Sequence, residues 1–119
     1  MGPPQISINP KAVLISFTGK TIELLKIAEG EKIAFSQDEE SPRDWFLSKN
    51  ENGFPLRVRD DSKKKIKSYS LNNNAIARKL LNSLGIEGSF RFTIGTEPIN
   101  INGVDYWPII TAAAKKNKP

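Results

Sequence analysis

Arg57, Arg59, Lys63, Lys64, Lys65 and Lys67 crowd into one short stretch of the chain. Long cations this close together suit one kind of chemistry, the displacement of counterions condensed on a polyanion backbone. Phe54-Pro55-Leu56-Arg57-Val58-Arg59 alternates apolar and basic residues, which predicts a strand with one wet face carrying both arginines. Such contacts would hold a nucleic acid without selecting a sequence. Selection needs donors at base edges, and Asn73, Asn74, Arg78 and Lys79, at the start of a second predicted helix, are the cluster that supplies them. The plainer reading of the same residues is a solvated lysine run and a polar helix start.

Other groups point less clearly to chemistry. Trp45, Phe46, Tyr106 and Trp107 are the right side chains for stacking on bases. Their matching places in the two halves of the chain instead predict paired plugs of a core. Asp38, Glu39, Glu40 and Asp44 form an acidic loop, read as solvated carboxylates, because no other residues build a substrate pocket around them. With no cysteine and no histidine, thiolate metal sites, disulfides and the commonest general base are absent. The expectation is a protein that is not an enzyme and needs neither metal nor cofactor. Gly85 and Gly88 match no phosphate-cradling glycine loop.

The elements that must carry these residues occur twice. Val13 to Ile22, then Ile27-Ala28-Glu29-Gly30 and Ile33-Ala34-Phe35, end in Asp44-Trp45-Phe46. Lys67 to Ile76, then Ile86-Glu87-Gly88 and Phe90-Arg91-Phe92, end in Asp105-Tyr106-Trp107. Each copy reads as strand, short helix, glycine turn and strand pair, spanning about 10–59 and 66–111. A connector at 60–65 joins them, and 112–119 reads as a frayed basic tail. Neither copy is long enough to bury a core alone, so residues 1–119 are expected to form one domain.

Local signals set the predicted boundaries. Pro10 divides 6–9 from 12–17, giving two short strands or one bent edge strand. Thr18 is placed to cap a helix running to Leu25, and Asn72 to cap one stopped by Gly85, in which Ile76, Leu80 and Leu84 recur with Ala77 and Leu81. Asn102-Gly103 predicts a type I′ hairpin. Residues 1–60 carry 8 Lys/Arg against 9 Asp/Glu and residues 61–119 carry 10 against 4, so the net charge of +5 comes from the second half.

The run Pro10-Lys11-Ala12-Val13-Leu14-Ile15, followed by Ile22-Glu23-Leu24-Leu25-Lys26-Ile27-Ala28-Glu29-Gly30-Glu31-Lys32-Ile33-Ala34-Phe35, resembles the AbrB/MazE/SpoVT-type swapped-hairpin family. The resemblance implies an α+β fold, mostly antiparallel: a pseudo-two-fold swapped-hairpin barrel with one short helix per repeat, closed here within a single chain. It also implies operator binding by a repressor, transition-state regulator or antitoxin. The family's first-strand arginine is replaced by Leu14. Its paired helix arginines fall near Ile22 and Glu23 in the first copy and near Leu81 and Asn82 in the second, none of them basic. Fold therefore transfers better than function.

The expected role is nucleic-acid binding, regulatory or accessory, through the basic second half, with Arg57, Arg59, Lys63, Lys64, Lys65 and Lys67 on phosphates and Arg78 and Lys79 reading or positioning. The competing expectation is a structural or interaction module, such as a virion or scaffold component, that self-assembles or binds another protein and ignores nucleic acid. No apolar run approaches the roughly 20 residues that span a bilayer, and the first residues lack a signal peptide's pattern, so no membrane partner and a cytoplasmic location are expected.

Overall fold

The computed structural model describes residues 4–9, 14–61 and 66–116. Alternating apolar residues at the start of the chain form β1 (Gln5–Asn9) and β2 (Leu14–Phe17), paired antiparallel with Ile6 opposite Phe17. The two-strand reading of 6–17 holds, but neither is an edge: β1 also pairs β8 (Phe90–Ile94), and β2 pairs β7 (Ile66–Leu71). Pro10 lies outside the described residues.

After β2 comes α1 (Gly19–Leu25), which buries Thr21, Ile22 and Leu25. Thr18 holds the capping position without a side-chain cap. Its hydroxyl instead accepts from the Gln5 N–H at 3.0 Å and meets the Thr21 hydroxyl at 3.0 Å. A hydroxyl in reach of a neighbouring strand's N–H satisfies that donor rather than the helix, a partner no local pattern announces.

Gly30, at φ 85°, turns the chain into β3 (Lys32–Gln37), and β4 (Trp45–Lys49) returns beside it with Phe35 opposite Leu47. The next extended stretch is split into β5 (Phe54–Pro55) and β6 (Arg57–Asp61) by Leu56, which is buried. Asp60 and Asp61 pair with Lys67 and Ile66, so they belong to a β6–β7 hairpin rather than to a connector between halves.

The cap of α2 (Asn74–Leu84) is Asn73, whose Oδ1 accepts from the Ile76 N–H at 2.9 Å, one residue later than Asn72. Ala77, Leu80, Leu81 and Leu84 form its buried stripe, and Gly85 ends it at φ 68°. At 11 residues it exceeds the 7 of α1. A hairpin then joins β9 (Ile99–Ile101) to β10 (Val104–Lys116) through Asn102 and Gly103, both at positive φ as a type I′ turn requires. The expected frayed tail is partly strand: beyond an irregularity after Ile110, Lys115 pairs Arg91 and Lys116 pairs Phe90.

The strands follow the order β5-β3-β4-β10-β8-β1-β2-β7-β6, with β9 added on β10. The two ends of that order, β5 and β6, are separated in sequence by Leu56 alone. Leu56 still bridges to the turn before β3, donating to Glu31 O at 2.9 Å and accepting from the Gly30 N–H at 3.2 Å. The result is a nearly closed, mostly antiparallel barrel with two short helices. Ile6, Ile8, Ile15, Ile33, Leu47 and Phe92 fill it, none of them more than 1 % exposed. Among the described residues no helix is long and apolar enough to cross a membrane.

Gly53 shows how tightly one corner closes. A Cβ there would stand 2.2 Å from the backbone oxygen of Ile33 and 2.7 Å from the Ala34 nitrogen. Backbone cannot swing aside as a side chain can. Gly53→Ala should therefore cost about 1–3 kcal/mol, read as a lower urea midpoint at unchanged m-value.

Candidate nucleic-acid interface

Strand alternation sorts side chains between barrel interior and surface. On β2, Ile15 and Phe17 are buried while Leu14 and Ser16 are not; on β6, Arg57 and Arg59 are exposed and Val58 packs on the core. The registers then align the outward residues: Ser16 stands opposite Ser70, Ser70 opposite Arg57, and Arg59 opposite Ser68. The predicted sharing of one face by Arg57 and Arg59 is what the structure has.

Along this face runs a groove of about 870 Å³ whose lining includes Arg57, Arg59, Lys67, Ser16, Ser70 and Asn72. Leu14 and Gly19 also line it, so it extends from the sheet to the start of α1. Ser16, Ser68 and Ser70 stand among the longer cations in this lining, together with Phe17, Val58 and Tyr69 from the core side. That arrangement lets an anionic oxygen approach the sheet and meet guanidinium groups from the side.

The other predicted residues fall elsewhere. Lys63, Lys64 and Lys65 lie outside the described residues. Arg78 and Lys79 are exposed on α2, opposite its buried stripe, and do not line the groove. Asn73 is committed to capping. Asn74 lies in the first turn of α2. The structure thus brings Arg57, Arg59 and Lys67 together and leaves Arg78 and Lys79 apart from them.

The aromatic residues divide. Trp45 is 2 % exposed and its Nε1 donates to Ser83 Oγ at 2.8 Å, while Trp107 packs against the core. Both are plugs, as their spacing predicts. Phe46 and Tyr106 instead border a shallow apolar hollow of about 240 Å³ with Ile99 and Ile101. Period-two alternation places them on the opposite side of β4 and β10 from the two tryptophans, which is why matching positions alone misassigned them to the core.

The acidic loop is a structural turn. Asp38 Oδ1 accepts from the N–H groups of Glu40 at 2.8 Å and Ser41 at 3.3 Å. Beside it, Arg43 donates to Leu84 O at 3.2 Å, closing the end of α2. No cluster of three or more acidic residues among the described ones is arranged to hold a metal ion. Glu31, paired with Lys49 at 2.8 Å and accepting from the Ala28 N–H, has its carboxyl held below the ordinary range, chiefly by the Lys49 hydrogen bond. Neither residue of that pair lines the groove, although Glu31 O accepts from the N–H of Leu56, next to Arg57.

Sequence reasoning missed Arg91. It is exposed on β8, and β1 joins its strand to β2, so Arg91 faces Ser7 and Ser7 faces Ser16. The signal was present in Phe90-Arg91-Phe92-Thr93-Ile94, whose alternation puts Arg91 and Thr93 on the wet side. Comparison of the chain with protein-family models, characterised proteins and solved structures yields no match.

Proposed function

We propose that this chain is a nucleic-acid-binding protein, regulatory or accessory in role, that holds the phosphodiester backbone on the outer face of β2, β7 and β6. The observation that carries the reading is the convergence of Arg57, Arg59 and Lys67 on one groove with Ser16, Ser68 and Ser70. Phosphate contact by such residues positions a nucleic acid and leaves its sequence unread. Arg78 and Lys79 form a separate exposed site on α2, where they would position the ligand rather than read it.

The architecture we propose with it is a duplicated swapped-hairpin unit of the AbrB-like kind, closed by one polypeptide. Its support is a register. Ser16 pairs Ser70, 54 residues on, and the same spacing separates Ile22 of α1 from Ile76 of α2. An antiparallel pair made of equivalent residues lies on a two-fold axis. Leu14, standing where the family carries an arginine, lines the same groove. The face would then be retained while its charge comes from β6 and β7.

One observation favours the alternative of an interaction module. Ile99 and Ile101 are 50 % and 53 % exposed on β9, which among the described residues pairs only with β10. Apolar side chains on an open edge strand suit protein association. The two readings separate in one experiment. A labelled duplex of about 20 base pairs at 50 mM salt should shift on addition of protein, and a scrambled duplex should shift equally. No shift with either, together with a defined oligomer in light scattering, would replace the nucleic-acid reading with the interaction module.

A further inference from the structure

We infer that the polyanion site does not end at the groove but crosses the whole five-strand layer β6-β7-β2-β1-β8, with Arg91 as its far anchor. The inference rests on the nucleic-acid reading of the groove. It adds a binding residue, a path and a ligand class: a phosphodiester backbone contacted without its bases.

The path is written in the registers. Arg57 faces Ser70, Ser70 faces Ser16, Ser16 faces Ser7 and Ser7 faces Arg91. Three serines in one row are thus flanked by an arginine at each end. Beyond Arg91 the next strand places Lys115 in the same register. Four inter-strand steps at about 4.8 Å separate β6 from β8, so the two arginines stand about 19 Å apart along the sheet surface.

Composition argues the ligand. The outward positions of Gln5–Asn9, Leu14–Phe17, Arg57–Arg59, Lys67–Leu71 and Phe90–Ile94 hold serine, threonine, asparagine and glutamine, one leucine, and three arginines. They hold no carboxylate. The acids of the layer are Asp60 and Asp61, opposite Lys67 and Ile66 at the end of the β6–β7 ladder. A chain with 13 Asp and Glu thus places two of them in this layer, both at one end of one strand and off the row from Arg57 to Arg91. The same positions hold no aromatic ring, and of the two rings that line the groove Phe17 is buried and Tyr69 half-buried, so the layer offers bases little platform for stacking. Backbone contact remains, and it is the chemistry shared by duplex and single strand.

Salt titration of duplex affinity tests the path. Each phosphate contact contributes about −0.9 to the slope of log K against log salt. Arg91→Gln should lessen the slope by about 0.9 and weaken binding about 15-fold at 50 mM salt. Arg91→Lys should restore the slope, and Lys32→Gln, at an exposed position of β3 that does not line the groove, should leave it near the wild-type value. A single strand of equal length should bind more weakly than the duplex.

If Arg57→Gln with Arg59→Gln reduces the slope while Arg91→Gln does not, the extended path is overturned and the groove reading stands. Tighter binding of the single strand would overturn backbone contact without bases. Absence of any binding by the unmodified protein would overturn both the groove reading and the path.

Discussion

Arg57→Gln combined with Arg59→Gln is expected to weaken duplex binding about 200-fold at 50 mM salt and about 20-fold at 200 mM, if each arginine acts through counterion release. The widening gap at low salt distinguishes charge loss from a damaged fold, which would weaken binding by the same factor at both concentrations. Both side chains are exposed and neither makes an ion pair among the described residues. Their replacement should leave thermal stability nearly unchanged, since substitutions at open surface positions usually stay within about 0.5 kcal/mol. Fluorescence anisotropy at the two salt concentrations, with a melting curve for each variant, makes the measurement. Equal losses at both concentrations would contradict the electrostatic assignment.

Trp45→Ala should cost about 3–5 kcal/mol of folding stability, the range for deleting a buried large aromatic side chain. Two effects combine. Trp45 is among the largest fully enclosed side chains, on β4 between β3 and β10, so its removal opens a cavity in the core. Its indole also ties β4 to α2 through Ser83, whose hydroxyl in turn donates to Leu80 O at 2.7 Å. Trp45→Phe separates the two, keeping most of the volume and losing the indole bond, and should cost about 1 kcal/mol from the bond with a smaller packing loss. Urea unfolding of the three proteins reads the difference. A loss under 1 kcal/mol for the alanine variant would mean that Trp45 is not the core plug described.

Much of this architecture was legible because period and turn chemistry are local. Phe54 to Arg59 announces which side chains share a face, Asn102-Gly103 announces its own turn, and Ala77, Leu80, Leu81 and Leu84 announce one helix face. What stayed hidden was non-local. Nothing in Gln5–Asn9 says that it will lie between β2 and β8, and that placement makes Arg91 part of the arginine-bearing face. Thr18 could not be seen spending its hydroxyl on Gln5, for the same reason. Asp60 and Asp61 look like a solvated connector until Ile66 and Lys67 pair with them. The tail residues Lys115 and Lys116 look frayed until β8 supplies a partner. The candidate site was thus half legible: Arg57, Arg59 and Lys67 follow from alternation and charge, whereas Arg91 follows only from the order of strands.

The central claim is that an arginine-bearing layer holds a phosphodiester backbone, and the salt dependence of duplex affinity tests it most directly. With Arg57, Arg59, Lys67 and Arg91 each contacting one phosphate, log K should fall linearly with log salt at a slope of about −3.6, close to a 150-fold loss between 50 and 200 mM. A scrambled duplex should give the same line. A flat line would contradict the claim, as would affinity that survives high salt for one sequence alone.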